Sequence, residues 1–271
     1  MGWKKILIIP RVMTLQRRAP KAVSTRWDKY WASVGETGTH GDVIWDVESP
    51  LEAQRYLAHL RQHSDLSLPV VDVGCGNGRL TRALAEVFPT ALGVDLAPHA
   101  ITRANEESRG ISNLEFRALD MTAPGAGKRL ATELGEANVF VRGVLHVLDP
   151  SARRAMAGNM RDLLGAGGTL LLAETNFPGS ALDYIAYLGA TPTWLPKPLE
   201  RAIGAGIPRP SRFGSAELAE CFPAAQWQSL VKETTLIETV PMRGLSEPES
   251  LPGFLAVLRT RPDVKSNPAP P

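Results

Sequence analysis

Apolar residues recur along this chain with two periods, and the alternation between them marks out its elements. From residue 68 to about 175, short continuous apolar runs rich in β-branched residues alternate with stretches repeating every three or four positions. The first run, 70–73, passes through Gly74, Gly76 and Gly78 into a segment where Leu80, Ala83, Leu84 and Val87 share one helical face. A second run at 91–94 precedes a helix from about Pro98 to Ser108, and strands follow at 114–118 and 139–142. A helix from about Ser151 to Leu164 is stopped by Gly165-Ala166-Gly167-Gly168, and a strand at 169–173 then ends at Glu174. Five continuous apolar strands with this rhythm predict an α/β protein whose parallel sheet is covered on both faces.

The flanks carry different patterns. Residues 24–34, with Trp27, Tyr30 and Trp31, predict a short aromatic helix. Ser49-Pro50-Leu51-Glu52 opens another, with serine at the N-cap, proline at N1 and glutamate at N3. It runs to about Gln62 and is expected to bury Leu51, Tyr56, Leu57 and Leu60. After Glu174 the rhythm breaks: six prolines between 175 and 210 interrupt apolar pieces that hold Tyr184, Tyr187 and Trp194. This stretch is too apolar for a linker and follows the carboxyl end of a strand, where ligands bind in such sheets. Residues 175–212 are therefore expected to form a lid or an acceptor-pocket insert. A helix at 213–222 and strands at 235–240 and 253–260 complete the domain, which is expected to span 24–260 around a core at 68–175. The tail, 261–271, has four prolines and is expected to be disordered.

Composition narrows the class. With 271 residues, 44% of them hydrophobic, the chain can bury a full core, and a net charge of +2 gives no global attraction to nucleic acid or membrane. The charge is uneven: the first 29 residues hold eight lysines and arginines against Asp28 alone. Residues 1–23 are accordingly read as a flexible basic extension, with binding of an acidic partner as the minority reading. Two cysteines, Cys75 and Cys221, exclude a disulfide framework and a cysteine-rich zinc site, and as free thiols they fit a reducing cytoplasm. The apolar run near the N-terminus is four residues long, short of the roughly 7–15 of a signal sequence. No membrane span is expected.

The candidate chemistry lies in the glycine loop. Strand, glycine turn and helix bring backbone N–H groups to a helix N-terminus where a ligand can approach closely. Asp95, seventeen residues past Gly78, closes the second strand, where a carboxylate can accept hydrogen bonds from a ribose diol. A dinucleotide site wants a third glycine at position 79, which is Arg79. The form Asp72-Val73-Gly74-Cys75-Gly76-Asn77-Gly78 instead resembles motif I of the class I S-adenosylmethionine-dependent methyltransferases, closely over about 68–175 and by pattern over 213–260.

That resemblance implies a three-layer, doubly wound, seven-stranded and mostly parallel sheet with an antiparallel last strand, an N-terminal helical segment and the insert as lid or acceptor pocket. It implies S-adenosyl-L-methionine as cofactor: Gly74, Cys75, Gly76 and Gly78 at its methionine end, Asp72 on its amino group, Asp95 on its ribose. Leu96 and Met121 would pack beside the adenine and Asp120 accept from its amino group. In place of the acid many relatives carry on entering the fourth strand stands Asn138, given no catalytic role. His146, following the fourth strand, is the candidate general base. Arg142, Glu174, Tyr30, Trp31, Tyr184 and Tyr187 are candidates for substrate contact, and no metal site is expected. No Asn-Pro-Pro-Tyr or Asp-Pro-Pro-Tyr signature occurs, which disfavours methylation of bases in nucleic acid. The expected partner is a small, apolar molecule or secondary metabolite. The alternatives are an RNA or protein methyltransferase using the basic arm and a cofactor-binding relative that transfers no methyl. The acceptor atom and a homo-oligomeric state are left open.

Overall fold

The apolar runs pair as their β-branched content predicts, in parallel and at the centre of the molecule. The structure is a computed structural model describing residues 6–17, 19–243 and 247–262. The strands are β1 (Val70–Val73), β2 (Ala91–Asp95), β3 (Leu114–Ala118), β4 (Asn138–Arg142), β5 (Thr169–Thr175), β6 (Trp227–Thr239) and β7 (Glu249–Thr260). They form one sheet in the order β3-β2-β1-β4-β5-β7-β6, parallel through β5 and antiparallel where β7 enters between β5 and β6. The order reverses beside β1, so its carboxyl end and that of β4 flank the crevice in which such sheets bind ligands.

The helices are α1 (Ile9–Gln16), α2 (Val23–Ala32), α3 (Pro50–His63), α4 (Arg79–Ala85), α5 (Pro98–Glu107), α6 (Ala126–Leu134), α7 (Pro150–Leu164), α8 (Ala181–Tyr187), α9 (Lys197–Ala205) and α10 (Ser215–Cys221). One core, joining Tyr56, Leu60, Leu84 and Ala100 to Phe140 and Leu171, lies on one face of the sheet. The other joins Val71, Val139 and Leu172 to Leu130, Met160 and Leu218. These are the three layers the alternating pattern predicts.

Four expectations are corrected. Residues 6–17 are not a free basic arm: Ile8 is buried, Val12 and Leu15 pack on the core, and Arg11 bonds the Thr193 carbonyl and Glu200 at the start of α9. Ile8, Val12 and Leu15, spaced to share one helical side, outweigh the basic composition of the segment. Leu51 is 62% exposed rather than buried, because Glu52 takes the inward position beside it. Helix α6 was not anticipated; it is short and contains Gly127, where a Cβ would lie 1.8 Å from the Asn159 carbonyl oxygen of α7. Strand β6 begins eight residues before the expected 235, because its first half is polar and largely exposed at the sheet edge. The disorder expected of 261–271 falls from 263 onward outside the described residues, as do residues 1–5 of the expected extension.

Glu52 is inward because it meets Arg142 at the end of β4. Nε and Nη2 of the guanidinium donate to the two carboxylate oxygens at 3.0 and 3.1 Å, and Tyr56 donates to Oε1 at 2.6 Å. Nη1 donates to the Trp45 carbonyl and Nη2 also to that of Glu238, so one side chain ties β4 to α3, the loop before it and the end of β6. Both partners are almost wholly buried. Removing one member leaves an uncompensated buried charge, which costs about 3–5 kcal/mol, whereas well-packed apolar replacement of both is often close to neutral. Arg142→Met and Glu52→Leu are each expected to lose stability of that order in urea unfolding, and the double variant to recover most of it. Additive losses in the double variant would contradict this account.

Candidate active site

Beyond β1 the chain turns through Gly74, Gly76 and Gly78, all at positive φ. At Gly76 a Cβ would stand 2.8 Å from the Trp31 ring, so only glycine lets α2 close over the loop. The loop's polar side chains are spoken for: Asn77 and Arg79 both bond the buried Asp46, at 2.8 and 2.9 Å. This gives Arg79, standing where a dinucleotide site has glycine, a structural partner.

A cavity of about 610 Å³ opens above this turn. It is lined by Asp72, Gly74, Cys75, Gly76, Asp95, Leu96, Asp120 and Met121, eight of the nine residues expected at the cofactor. The ninth, Gly78, is instead a packing position: it caps α4, and a Cβ there would lie 2.4 Å from the Phe116 ring. Asp95 accepts from the Gly76 N–H at 3.0 Å and the Ala97 N–H at 2.9 Å, holding the loop while each oxygen keeps a lone pair. Asp120 accepts from the Thr122 N–H and hydroxyl through Oδ1. Burial pushes the Cys75 thiol up, which makes it inert as a nucleophile.

A second cavity, of about 230 Å³, lies between α1, α8 and α9 and the ends of β6 and β7. It joins the first along Trp27, Trp45, Arg142, Gly143, Val147 and Pro208, which line both. His146 stands on its wall in a 3₁₀ turn, Leu145–Val147, built around the carboxylate of Glu174. Glu174, at 0% exposure, accepts from the backbone N–H groups of Val144, Leu145 and His146 and from His146 Nδ1 at 2.7 Å. An ionised carboxylate only accepts, so Nδ1 carries a proton and Nε2 of the neutral ring is the basic nitrogen. The His146 carbonyl in turn accepts from the Ser211 N–H and hydroxyl, which moors the end of the insert to this turn.

The residues expected to touch substrate therefore separate. Trp31 lines the first cavity, Tyr184 the second, and Arg142 both. Glu174 lines neither; it is saturated by the turn it organises. Tyr30 is fully buried and stacked on Trp45 at 5.7 Å, and Tyr187 is 41% exposed with its hydroxyl on the Ser250 carbonyl. Trp27 was anticipated only as part of the aromatic helix and not as a site residue, and Trp45 and the Glu52 that backs Arg142 were not anticipated. Trp27 lies four residues before Trp31, and that spacing was a usable signal; Trp45 is in an irregular loop whose sequence has no period. Among the described residues there is no cluster of histidine, cysteine and acid side chains fit to hold a metal ion.

The fold and the loop define a Rossmann-like protein with a nucleoside-sized site at the reversal of strand order. A family profile described as a methyltransferase domain matches residues 70–168. The ubiquinone biosynthesis O-methyltransferase of Methylococcus capsulatus is 37% identical over 147 residues, 51% of this chain and 59% of that protein. The methyltransferase calH of Penicillium decumbens is 29% identical over 165 residues, 56% of this chain and 42% of that protein. The chain thus spans about half the length of these curated relatives. A SAM-dependent methyltransferase of Anabaena variabilis superposes with a TM-score of 0.77 at 25% identity, covering 90% of this chain and 98% of that one. Loop, sheet order and these likenesses make the core, residues 70–168, similar to a methyltransferase domain on a Rossmann-like sheet.

Asp72 gives the site a pH dependence. Burial raises its carboxyl to about 7, against the Thr81 hydroxyl that donates to it at 2.6 Å and favours the anion. Its ordinary value is 3.8, so between about pH 4 and 7 the folded protein binds more protons than the unfolded chain and stability falls as pH rises. Above about 7 the contribution is flat. In urea unfolding from pH 4.5 to 8, wild type is expected to lose stability relative to Asp72→Asn, by up to about 1.4 kcal/mol per pH unit within that window. A constant difference between the two would contradict a buried, protonated Asp72.

Proposed function

We propose that this chain transfers a methyl group from S-adenosylmethionine to an oxygen of a small-molecule acceptor, with His146 as general base. The observation that carries this reading is the His146–Glu174 pair, set on the wall of a largely apolar chamber that adjoins a donor-sized cavity. When bound, the donor supplies an electrophilic methyl on a sulfonium, so the protein has chiefly to align an oxygen with it and keep water out.

The residues present suit that donor. The Gly74–Gly76 backbone admits its amino-acid end, and Asp72 faces the same space as the acid for its amino group. The lone pairs left on Asp95 suit a ribose diol, and Leu96, Met121 and Asp120 suit a purine. On the acceptor side, Nε2 of His146 takes the hydroxyl proton as the oxygen–methyl bond forms. Glu174 holds the ring at Nδ1 and favours the resulting imidazolium. Trp27, Trp31 and Trp45 close the space to water. Arg142, engaged by Glu52 and two carbonyls, pins the walls of the junction.

The curated relatives with O-methyltransferase names support an oxygen acceptor. The RNA or protein reading would need the N-terminal basic residues free, and Ile8, Val12 and Leu15 hold that segment against the core. A relative that binds the donor without transferring would form no S-adenosylhomocysteine. Two free, buried cysteines, and the absence among the described residues of a helix fit to cross a membrane, support placement in the cytoplasm.

With a 4-alkylphenol as acceptor, His146→Gln is expected to lower turnover by about 10²–10⁴. S-adenosylhomocysteine affinity, measured by calorimetry, should change less than twofold. Turnover equal to wild type would return His146 to a packing role.

A further inference from the structure

The second cavity carries more information than its position beside the donor site. Its walls are mostly apolar, with Ile9 and Val12 of α1, Tyr184 and Ile185 of α8, Ile203 of α9 and Ile237 of β6, and the uncharged polar residues Gln16, Thr175 and Thr239 also line it. Two cationic side chains line it, and neither offers a buried anion receptor. Arg142 is neutralised by Glu52 and engaged by two carbonyls, while Arg209 is exposed at the rim. At the inner end stands His146, backed by the buried Glu174 carboxylate, which repels an acceptor anion. At the outer end the lining residue Met13 of α1 is 62% exposed, so the chamber reaches the surface beside that helix. A volume of about 230 Å³ holds roughly eight water-sized groups at about 30 Å³ each.

We infer that this chamber, walled on one side by α1, binds the neutral apolar body of a hydroxylated acceptor, its hydroxyl at His146 and its tail running out past Met13. The inference rests on the methyl-transfer reading for the identity of the inner end. It makes the N-terminal helix a specificity element of the acceptor site, in place of an arm for acidic partners. Each methylene buried in such a chamber is worth about a fourfold gain in affinity, and the gain stops when the tail reaches solvent.

The test uses the full chain saturated with S-adenosylhomocysteine and a series of 4-alkylphenols, ethyl to decyl. Binding is followed by fluorescence quenching of Trp27 and Trp45, which line the chamber. Affinity is expected to climb about fourfold per methylene and then level off, with matched 4-alkylbenzoates at least tenfold weaker. Ile203→Trp fills the chamber and should weaken 4-hexylphenol at least tenfold without altering S-adenosylhomocysteine affinity, since Ile203 does not line the donor cavity. Met13→Glu, a surface change with little risk to folding, should weaken the long phenols and spare the short ones. Affinity independent of chain length, or benzoates that bind as tightly as phenols, would overturn the inference while leaving the donor site standing. Failure to bind S-adenosylhomocysteine at all would overturn the methyl-transfer reading beneath it.

Discussion

A guanidinium buried at the carboxyl end of a central strand must be neutralised where it stands, and that requirement shapes everything above this sheet. Arg142 could not be sheltered there without Glu52 on α3, and the pair could not be dry without carbonyls for the remaining N–H groups. Meeting those needs draws α3, the Trp45 loop and the end of β6 together around one point. That point is the junction of the two cavities. The ion pair therefore does by position what no single wall could: it shapes the passage between the two cavities while presenting little net charge to either.

The same economy governs Glu174. A carboxylate at zero exposure is costly unless fully hydrogen-bonded, and four donors from three consecutive residues satisfy it. The turn those donors form has no regular sequence signature of its own, so it exists because the carboxylate does. An amide at this position could not accept from all four, since its nitrogen would face N–H groups. Orientation of the imidazole and shape of the turn are thus one interaction, and so are the tautomer and the mooring of the insert through Ser211.

How much of this was legible in the sequence depended on whether local period or distant partner decided the outcome. The strands β1 to β5, the helices that cover them apart from α6, and the first cavity follow from continuous apolar runs and alternating glycines. The sheet therefore places Asp72, Asp95 and Asp120 around one space, as their spacing suggested. Gly78 shares that spacing, yet its reason is a neighbour 38 residues away, Phe116, which no local pattern could name. Glu52 looked like a helix cap because cap chemistry is local, while its actual partner lies 90 residues on. Strand β6 hid its first half because an edge strand has little to bury. The N-terminal segment misled through composition: eight basic residues were visible, but the apolar side of α1 had no meaning until α9 was there to meet it.

These differences fall on the acceptor side far more than on the donor side, and there is a physical reason. A nucleoside-bearing donor is held by backbone N–H groups, a few carboxylates and a turn, all adjacent in sequence and tied to one strand order. An acceptor chamber needs only walls, which any sufficiently apolar surface can supply. The walls of the second cavity, for example, come from α1, the insert helices α8 and α9 and the end of β6, segments separated by up to about 230 residues in the chain. Apolar packing is non-directional, so a wall leaves no motif behind, whereas a hydrogen-bonding cradle does. A chain of this kind consequently states its chemistry in one short loop and states its substrate only in the way distant pieces close together.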